Sequence, residues 1–174
     1  MMEREANLVL IGMPGAGKST IGVILAKRMA LGFVDTDLLI QQAQGRSLQE
    51  IVDSEGYLVL RRIEEEVLQG LDLQGCIIAT GGSAVYSERA MAHLKAHGLV
   101  AFLHVELPEL EARVHNFRTR GLAKRPDQDL EDLFRERLLL YAKYADITIT
   151  CAGLSQEEVC ARVMAHMEGA LPRP

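Results

Sequence analysis

Residues 12–19 constrain the fold of this chain more than any other stretch. They read GMPGAGKS and fit G-x-x-x-x-G-K-[ST], the pattern of a phosphate-binding loop. Such a loop requires a strand before it and a helix after it. An apolar run over residues 7–11 precedes it, and residues 18–30 carry apolar side chains at helical spacing. The sequence therefore predicts a strand, a phosphate-binding loop and a helix, in that order.

The residue types in this stretch suit a bound polyphosphate. Gly12, Gly15 and Gly17, with Ala16 between the last two, let the backbone curl so that its N–H groups point inward. The following helix adds the positive end of its dipole. Lys18 supplies a mobile charge for the β- and γ-phosphates, and the hydroxyl of Ser19 can ligate Mg²⁺. The structural alternative is a glycine-rich turn with a solvated lysine.

The bulk properties predict a single domain over residues 1–174. With 48% hydrophobic and 25% charged residues among 174, the chain can bury one sizeable core. Its formal net charge of -5 gives no reason to expect a nucleic-acid partner, and no apolar run reaches the length of a membrane span. The three cysteines show no close-spaced metal pattern. We expect a monomeric protein of the reducing cytoplasm, without nucleic-acid or membrane partners.

Apolar runs alternate with helical patterns along the chain. Strand patterns occupy residues 8–11, 33–35, 76–79, 100–105 and 146–149. Helical patterns occupy residues 18–30, 38–43, 48–53, 58–71, 88–96, 108–117, 130–144 and 156–168, and capping boxes begin at Ser47 and Ser155. Strands separated by helices predict parallel βαβ units, and so an α/β domain whose sheet is covered on both faces.

One basic segment interrupts this alternation. Residues 118–127 read RTRGLAKRPD. Most charge runs are solvated loops. An enzyme that transfers phosphoryl groups, however, needs a mobile cationic flap that excludes water and neutralises the γ-phosphate. Because the phosphate-binding loop is present, we favour a lid over residues 118–129.

Two carboxylates follow the second strand pattern. Asp35 and Asp37 stand two residues apart after Phe33-Val34, where the carboxyl end of a parallel strand faces the ligand crevice. One of them could hold Mg²⁺ through water, and the other could orient a substrate hydroxyl. The alternative for Asp37 is a helix N-cap ahead of Leu38. The residues themselves leave this choice open.

Three later stretches also carry candidate groups. Arg61 lies in a charged helix whose other charges form a solvated face. Gly81 and Gly82 follow a strand pattern, where they allow close approach of backbone to a ligand or simply form a tight turn. Arg137 and Tyr141 share one helix face because they are four residues apart.

Together these residues resemble the shikimate kinase family, in the group of phosphate-loop kinases that are similar to nucleoside monophosphate kinases. The matching stretches are Gly12–Ser19 with Thr20-Ile21-Gly22, Phe33–Asp37, Arg61 with Glu64, Thr80-Gly81-Gly82, Arg118 with Arg125-Pro126, and Arg137 with Tyr141. They run in family order and span almost the whole chain. The resemblance implies a three-layer fold with a five-stranded parallel sheet in the order 2-3-1-4-5, a substrate-binding helical segment within residues 33–62, and a lid.

The resemblance implies ATP and Mg²⁺ as cofactors and gives residues for both. Thr20 extends the phosphate-binding set of the loop. Arg118 packs on adenine, and Arg125 reaches the phosphates from the lid. Ser19 and Asp35 lie at the Mg²⁺ ion.

The same resemblance implies how a small-molecule substrate binds. Asp37 contacts the substrate hydroxyl and acts as a base. Arg61 and Arg137 clamp a carboxylate, a task that suits the planar guanidinium fork. Gly81 and Gly82 offer backbone donors.

The chain departs from the family pattern at several positions. These are Ser83 in place of a third glycine, Tyr57 in place of glutamate, Leu60 in place of an aromatic residue, Asp127-Gln128 in place of Leu-Leu, and Leu139 in place of proline. None of them removes a charged group assigned to the substrate. Ser83 adds a side chain where the backbone approaches the ligand.

We therefore expect an ATP-dependent kinase that phosphorylates the 3-hydroxyl of shikimate, a step of aromatic amino-acid biosynthesis. Catalysis would combine positioning with charge neutralisation, with Lys18, Mg²⁺ and Arg125 on the phosphoryl group and Asp37 on the nucleophile. One alternative is a related kinase for another carboxylate-bearing hydroxy compound, such as gluconate. Another is a nucleotide-binding regulatory protein without turnover.

Overall fold

The computed structural model describes residues 6–115 and 119–170 of the chain. Its strands are β1 (Asn7–Ile11), β2 (Gly32–Asp35), β3 (Cys76–Ala79), β4 (Gly98–His104) and β5 (Ile147–Thr150). Its helices are α1 (Lys18–Met29), α2 (Thr36–Gln44), α3 (Leu48–Glu55), α4 (Tyr57–Gln69), α5 (Glu88–Ala96), α6 (Leu107–Arg113), α7 (Leu130–Tyr144) and α8 (Gln156–Ala170). A 3₁₀ helix, which the sequence patterns did not predict, covers Ala84–Tyr86.

The strands form one parallel sheet in the order β2-β3-β1-β4-β5, which confirms the predicted order. In the centre, Leu8 of β1 pairs with Ile77 of β3 on one side and with Leu99 of β4 on the other. Every residue of β1 is buried, as expected for a strand that helices cover on both faces. The carboxyl ends of β1, β2 and β3 consequently meet at one edge, where the phosphate-binding loop begins.

Two apolar clusters hold the elements together. The larger one surrounds the sheet and includes Leu8, Leu25 and Phe102. The smaller one joins α2, α3 and α4 through Ile40, Ile51, Leu60 and Ile63, and it also contains Ala123 from the predicted lid. The lid is therefore packed against the helical segment that the sequence predicted to bind substrate.

One correction to the predicted boundaries concerns α2. The pattern placed its start at residue 38, but it begins at Thr36, because the Asp35 side chain accepts from the backbone N–H groups of Asp37 and Leu38. Asp35 is thus the N-cap, and the N-cap alternative for Asp37 is wrong. Both predicted capping boxes are present, at Ser47 and at Ser155.

The end of α6 also differs from the predicted boundary. The pattern over 108–117 predicted a helix, but α6 ends earlier, at Arg113.

Among the described residues, no helix combines the length and the apolar character that crossing a bilayer requires.

Candidate active site

The phosphate-binding loop adopts a backbone path that requires glycine. Gly12, Gly15 and Gly17 have φ values of 149°, 86° and 94°, which L side chains rarely adopt. A Cβ on Gly12 would lie 2.8 Å from the carbonyl oxygen of Leu103, and one on Gly15 would lie 2.5 Å from Val114. Side chains at Gly12 and Gly15 are therefore excluded by both the backbone conformation and the close neighbours. Ala16, within this loop, is buried.

Lys18 is folded over the loop that it follows. Its ammonium donates to the carbonyl oxygens of Gly12 at 2.7 Å and Met13 at 2.9 Å, and the residue is only 8% exposed. Burial lowers the pKa of Lys18 to about 8, and Asp37 is the charge that most opposes this shift. The cation is therefore held at the loop, ready to exchange two carbonyl partners for phosphate oxygens.

Ser19 and Asp35 form a pair of oxygen donors beside the loop. The Ser19 hydroxyl donates to Asp35 Oδ2 at 2.5 Å, while Oδ1 of Asp35 accepts from the N–H of Asp37 at 3.0 Å. A hydroxyl and a carboxylate are ligands that suit Mg²⁺, which prefers oxygen and keeps several waters. The two residues fit the ion that the sequence implied. Thr20, the next residue, is exposed in the first turn of α1.

Asp37 lines a cavity beside the loop, together with Pro14 of the loop itself. Burial raises the pKa of the Asp37 carboxyl, and the charge of Lys18 is the strongest influence that lowers it. Its Oδ1 would lie 2.7 Å from a Cβ built on Gly81, so a larger residue there would displace the Asp37 side chain. Gly82 is equally restricted, because its Cβ would lie 2.6 Å from Arg137 Nη1 and 3.0 Å from Pro14.

Arg61 and Arg137 converge on one oxygen atom, the backbone carbonyl of Ala123. Arg61 donates to it from Nε at 3.3 Å and Nη2 at 3.1 Å, and Arg137 donates from Nη2 at 3.0 Å. The Arg61 guanidinium also stacks on Tyr86, 3.5 Å from the ring centroid. Arg137 is only 1% exposed, and its Nε also donates to the Tyr86 hydroxyl at 3.4 Å. Arg61 and Arg137, which the sequence identified as candidates, therefore lie at the same site.

The lid contributes that carbonyl and covers the cavity. Gly121 of the lid donates its N–H to Gln49 Oε1 at 2.7 Å, and Ala123 is buried in the smaller apolar cluster. Beneath it, the cavity has a volume of about 60 Å³ and is lined by Asp37, Glu64, Gly81, Ser83, Arg120 and Arg137, among others. A larger cleft of about 350 Å³ lies on the other side of the loop, against Gly15, Arg113 and Gln156.

The two arginines predicted for adenine and for the lid, Arg118 and Arg125, have different outcomes. Arg118 lies outside the described residues. Arg125 is turned toward α7, where it pairs with Glu136 at 3.0 Å, and its side chain is 49% exposed. Arg120, which sequence reasoning did not single out, lines the cavity and acts electrostatically on both Lys18 and Asp37. The basic composition of the lid indicated that one of its cations would reach the site, but nothing in the sequence indicated that this cation would be Arg120.

Two further residues that the sequence did not assign to ligand binding lie in the cavity wall. Glu64 is 3% exposed, and burial raises its pKa to about 7. The Ser83 hydroxyl donates to Glu64 Oε2. Glu64 stands one helical turn after Arg61, and that spacing was the signal that could have placed it at the same site. Nearby, the Tyr141 hydroxyl donates to the carbonyl of Gly82 at 2.7 Å.

A phosphate-binding loop at the edge of a 2-3-1-4-5 parallel sheet, beside a cavity with a carboxylate and paired arginines, defines a phosphate-loop kinase. The family model for shikimate kinase matches residues 14–168. The chain belongs to the shikimate kinase family. Members of this family are ATP- and Mg²⁺-dependent phosphotransferases that act on a hydroxyl group.

Individual relatives support this assignment over nearly the full length. A shikimate kinase of Pasteurella multocida is 39% identical over 168 residues, which cover 94% of this chain and 93% of that protein. One of Gloeobacter violaceus is 40% identical over 157 residues, covering 88% of each. The structure of a shikimate kinase from Acinetobacter baumannii in complex with shikimate superposes with a TM-score of 0.88 at 28% identity, covering 97% of this chain and 96% of that one.

Proposed function

We propose that this chain transfers the γ-phosphoryl group of ATP to the 3-hydroxyl of shikimate. The observation that carries the proposal is the position of Asp37, which borders both the Lys18 ammonium and the cavity that contains Arg137 and the two glycines. A hydroxyl bound beside Asp37 would have the phosphate-binding loop on one side and the arginines on the other. This order of groups suits a carboxylate-bearing alcohol.

The arginine pair would bind the carboxylate of the acceptor. In the structure both guanidinium groups donate to the Ala123 carbonyl, which occupies the position that we assign to a carboxylate oxygen. A carboxylate is a stronger acceptor than an amide carbonyl for charged donors and would displace it. Entry of the acceptor would therefore require the lid to withdraw, and Ala123 links substrate binding to lid motion.

Lys18 would stabilise charge on the phosphoryl group as it moves. Its ammonium already lies at the loop, so little reorganisation would be needed when phosphate oxygens replace the two carbonyl partners. Mg²⁺ at Ser19 and Asp35 would supply further charge neutralisation. Among the lid cations that the structure describes, Arg120 is the one placed at the cavity, whereas Arg125 would first have to leave Glu136.

Asp37 would orient the attacking hydroxyl and take up its proton. The raised pKa that burial gives this carboxyl makes it a better base than an exposed aspartate. The cation of Lys18 limits the shift and keeps the carboxylate ionised when the acceptor binds.

A second candidate is a kinase for a different carboxylate-bearing hydroxy compound, such as gluconate. Ser83 places a side chain in the cavity wall where the family has glycine, and the cavity under the lid measures only about 60 Å³. That volume holds a few water molecules. Neither shikimate nor gluconate fits unless the lid withdraws, so Ser83 is the observation that bears on the choice between them.

A panel of acceptors separates these two candidates. The purified chain, ATP and Mg²⁺ are incubated with shikimate, gluconate and shorter hydroxy acids in turn, and products are identified by mass spectrometry. We expect phosphorylated shikimate with the highest kcat/KM. A higher kcat/KM for another acid would assign the enzyme to that acid instead.

We propose in addition that the chain acts as a monomer and as one domain over residues 1–174, in the cytoplasm. One sheet carries both the loop and the elements that form the cavity, and the three cysteines are free thiols, as in a reducing compartment. Sedimentation of the active protein as a single-chain species would support the monomer, and activity confined to a dimer would overturn it.

A further inference from the structure

Arg120 is a lid residue whose charge the protein leaves uncommitted at the reaction site. It lines the cavity together with Asp37, Gly82 and Pro14 of the phosphate-binding loop. Among the described residues, its side chain takes part in no hydrogen bond and no ion pair. A guanidinium group carries several N–H donors in one plane, and here they remain available to a bound molecule.

The charge of Arg120 acts on the two groups between which the phosphoryl group would move. Burial is the main cause of the shifted pKa values of Lys18 and Asp37, and the charge of Arg120 lowers the pKa of both. It thereby favours the carboxylate form of Asp37 and repels the Lys18 ammonium. An anion placed between the two cations would be attracted by both of them. The arrangement therefore suits a negatively charged group between the loop and Asp37.

The packing of the lid backbone fixes Arg120 at this place. The next residue, Gly121, has a φ of 66°, and a Cβ on it would lie 2.5 Å from the backbone nitrogen of Gln49 and 2.6 Å from Leu48. The N–H of Gly121 also donates to Gln49 Oε1 at 2.7 Å. The lid is thus seated directly on the start of α3, and the position of Arg120 over the cavity follows from this contact.

Arg125, the lid arginine that the family resemblance places at the phosphates, is held elsewhere. Its Nη1 donates to Glu136 Oε2 and its backbone N–H donates to Gln128 Oε1, both at 3.0 Å. Gln128 is 4% exposed and donates from Nε2 to the same Glu136 oxygen at 3.0 Å, while the Tyr86 hydroxyl donates to Oε1. Leucine, the family residue at the position of Gln128, could make neither of its side-chain bonds. This chain therefore ties Arg125 down more firmly than the family pattern would.

We propose that Arg120, rather than Arg125, is the lid residue that contacts the γ-phosphoryl group during transfer. The inference rests on the proposed function and adds a catalytic residue to it. In the transfer, the acceptor oxygen forms a bond to the γ-phosphorus, the bond from that phosphorus to the β–γ bridging oxygen breaks, and the acceptor proton passes to Asp37. The Arg120 guanidinium keeps its proton and donates to the non-bridging oxygens, a task that suits its planar fork.

Steady-state kinetics compare the two arginines directly. Arg120→Gln should lower kcat by about 10²–10³, with little change in the KM for ATP or for the acceptor, because the contact is strongest in the transition state. Arg120→Lys, which keeps the charge, should recover part of this loss. Arg125→Gln should lower kcat much less. A loss of kcat in Arg125→Gln that equals or exceeds the loss in Arg120→Gln would overturn the proposal.

Two controls accompany this comparison. Arg135→Gln removes an exposed arginine of α7 that pairs with Glu131, and it should retain wild-type kcat. Thermal unfolding of Arg120→Gln should match the wild type, since Arg120 is exposed and has no protein partner among the described residues. A fall in kcat accompanied by an equal fall in folded protein would assign Arg120 to structure and overturn its catalytic role.

A transition-state mimic separates a contact with the phosphoryl group from a contact with either ligand. Aluminium fluoride with MgADP imitates the phosphoryl group in transit, and its binding in the presence of the acceptor is compared with that of MgADP alone by calorimetry. We expect fluoride to tighten ADP binding in the wild type and in Arg125→Gln, and about 10²-fold less in Arg120→Gln. Equal tightening in Arg120→Gln and the wild type would overturn the proposal.

The remaining outcomes also decide the matter. If Arg120→Gln weakens binding of MgADP alone, or of the acceptor alone, by as much as it weakens the mimic, Arg120 is a ground-state binding residue and the proposal is wrong. Absence of shikimate turnover would instead refute the proposed function. The same comparisons with the acid that the acceptor panel identifies would then still test Arg120.

Discussion

The phosphate-binding loop and the acceptor cavity lie side by side, but they are built differently. The loop is made by neighbours in sequence, and Lys18 reaches carbonyl oxygens only five and six residues away. The cavity is assembled from α2, α4, the turn after β3, the lid and α7. Its central contact, from Arg61 to Ala123, joins residues 62 positions apart.

This difference separates the part of the site that any phosphate-bearing ligand can use from the part that selects one alcohol. A ligand with phosphates needs backbone N–H groups and a cation, which a short motif supplies in full. A specific alcohol needs several side chains placed around it, and these come from distant segments. We therefore expect changes in the loop to affect every reaction of the enzyme, and changes in the cavity to affect the acceptor alone.

Replacing Lys18 should have the largest effect. In Lys18→Ala the phosphoryl group loses its fixed cation, so kcat should fall by about 10²–10³ or more, for whichever acceptor is used. Steady-state kinetics at saturating ATP measure this. Lys27→Ala, an exposed lysine on the same helix, is the control and should retain wild-type turnover. Near-normal turnover in Lys18→Ala would remove the loop from the mechanism.

Replacing Asp37 tests the junction of the two regions. Since Asp35 caps α2, Asp37→Asn changes no cap, and the variant should unfold at nearly the wild-type temperature. Its kcat should nevertheless fall by about 10²-fold, because an amide is a poor base. Asp35→Asn should differ, in that added Mg²⁺ partly restores its activity. If Asp37→Asn stays within a few-fold of wild type, Asp37 is not the group that receives the proton.

Replacing the arginines should affect the acceptor side only. Arg61→Lys and Arg137→Lys keep the charge but lose the planar fork. The acceptor KM should rise by about tenfold to a hundredfold, which corresponds to about 1.5–3 kcal/mol, while the KM for ATP stays unchanged. Arg62→Ala, the exposed neighbour of Arg61, provides the control. An equal rise in both KM values would show that the two regions are not separable.

The smallest expected effect concerns stability and pH. Burial raises the pKa of Glu64 from 4.5 to about 7, so between these values the folded state retains a proton that the unfolded state has lost. The free energy of unfolding should therefore fall as pH rises through this window. Glu64→Gln should flatten the dependence and be more stable than wild type above pH 7, by about 1–3 kcal/mol.

Urea denaturation at pH 5 and pH 8 measures this difference. Glu66→Gln, an exposed glutamate on the same helix, should follow the wild type at both values. Parallel pH dependence in the wild type and in Glu64→Gln would mean that Glu64 is not the buried acid that the cavity requires.

The sequence predicted the sheet well because its signals are local. The loop motif, the alternation of apolar runs with helices and the capping boxes at Ser47 and Ser155 each depend on residues within one or two turns. The strand order came from the family resemblance and is confirmed. The start of α2 was wrong because a side chain can cap from either of two aspartates, and the pattern does not say which.

The cavity was predictable only in part. Arg61, Arg137 and the two glycines were identified, but their meeting at one lid carbonyl depends on how the lid packs on the smaller apolar cluster. Arg120 and Arg125 are equally basic in the sequence, yet one lines the cavity and the other pairs with Glu136. Such choices are decided by tertiary contacts, which composition and spacing do not contain.

The most direct test of the account is the identity and position of the phosphorylated product. The purified chain is incubated with ATP, Mg²⁺ and shikimate, and the product is examined by ³¹P NMR with proton correlation. We predict a phosphate ester on the 3-hydroxyl, formed in step with ADP, saturable in shikimate and formed far more slowly with Lys18→Ala. ADP formation that shikimate does not accelerate, or an ester on a different hydroxyl, would contradict the account.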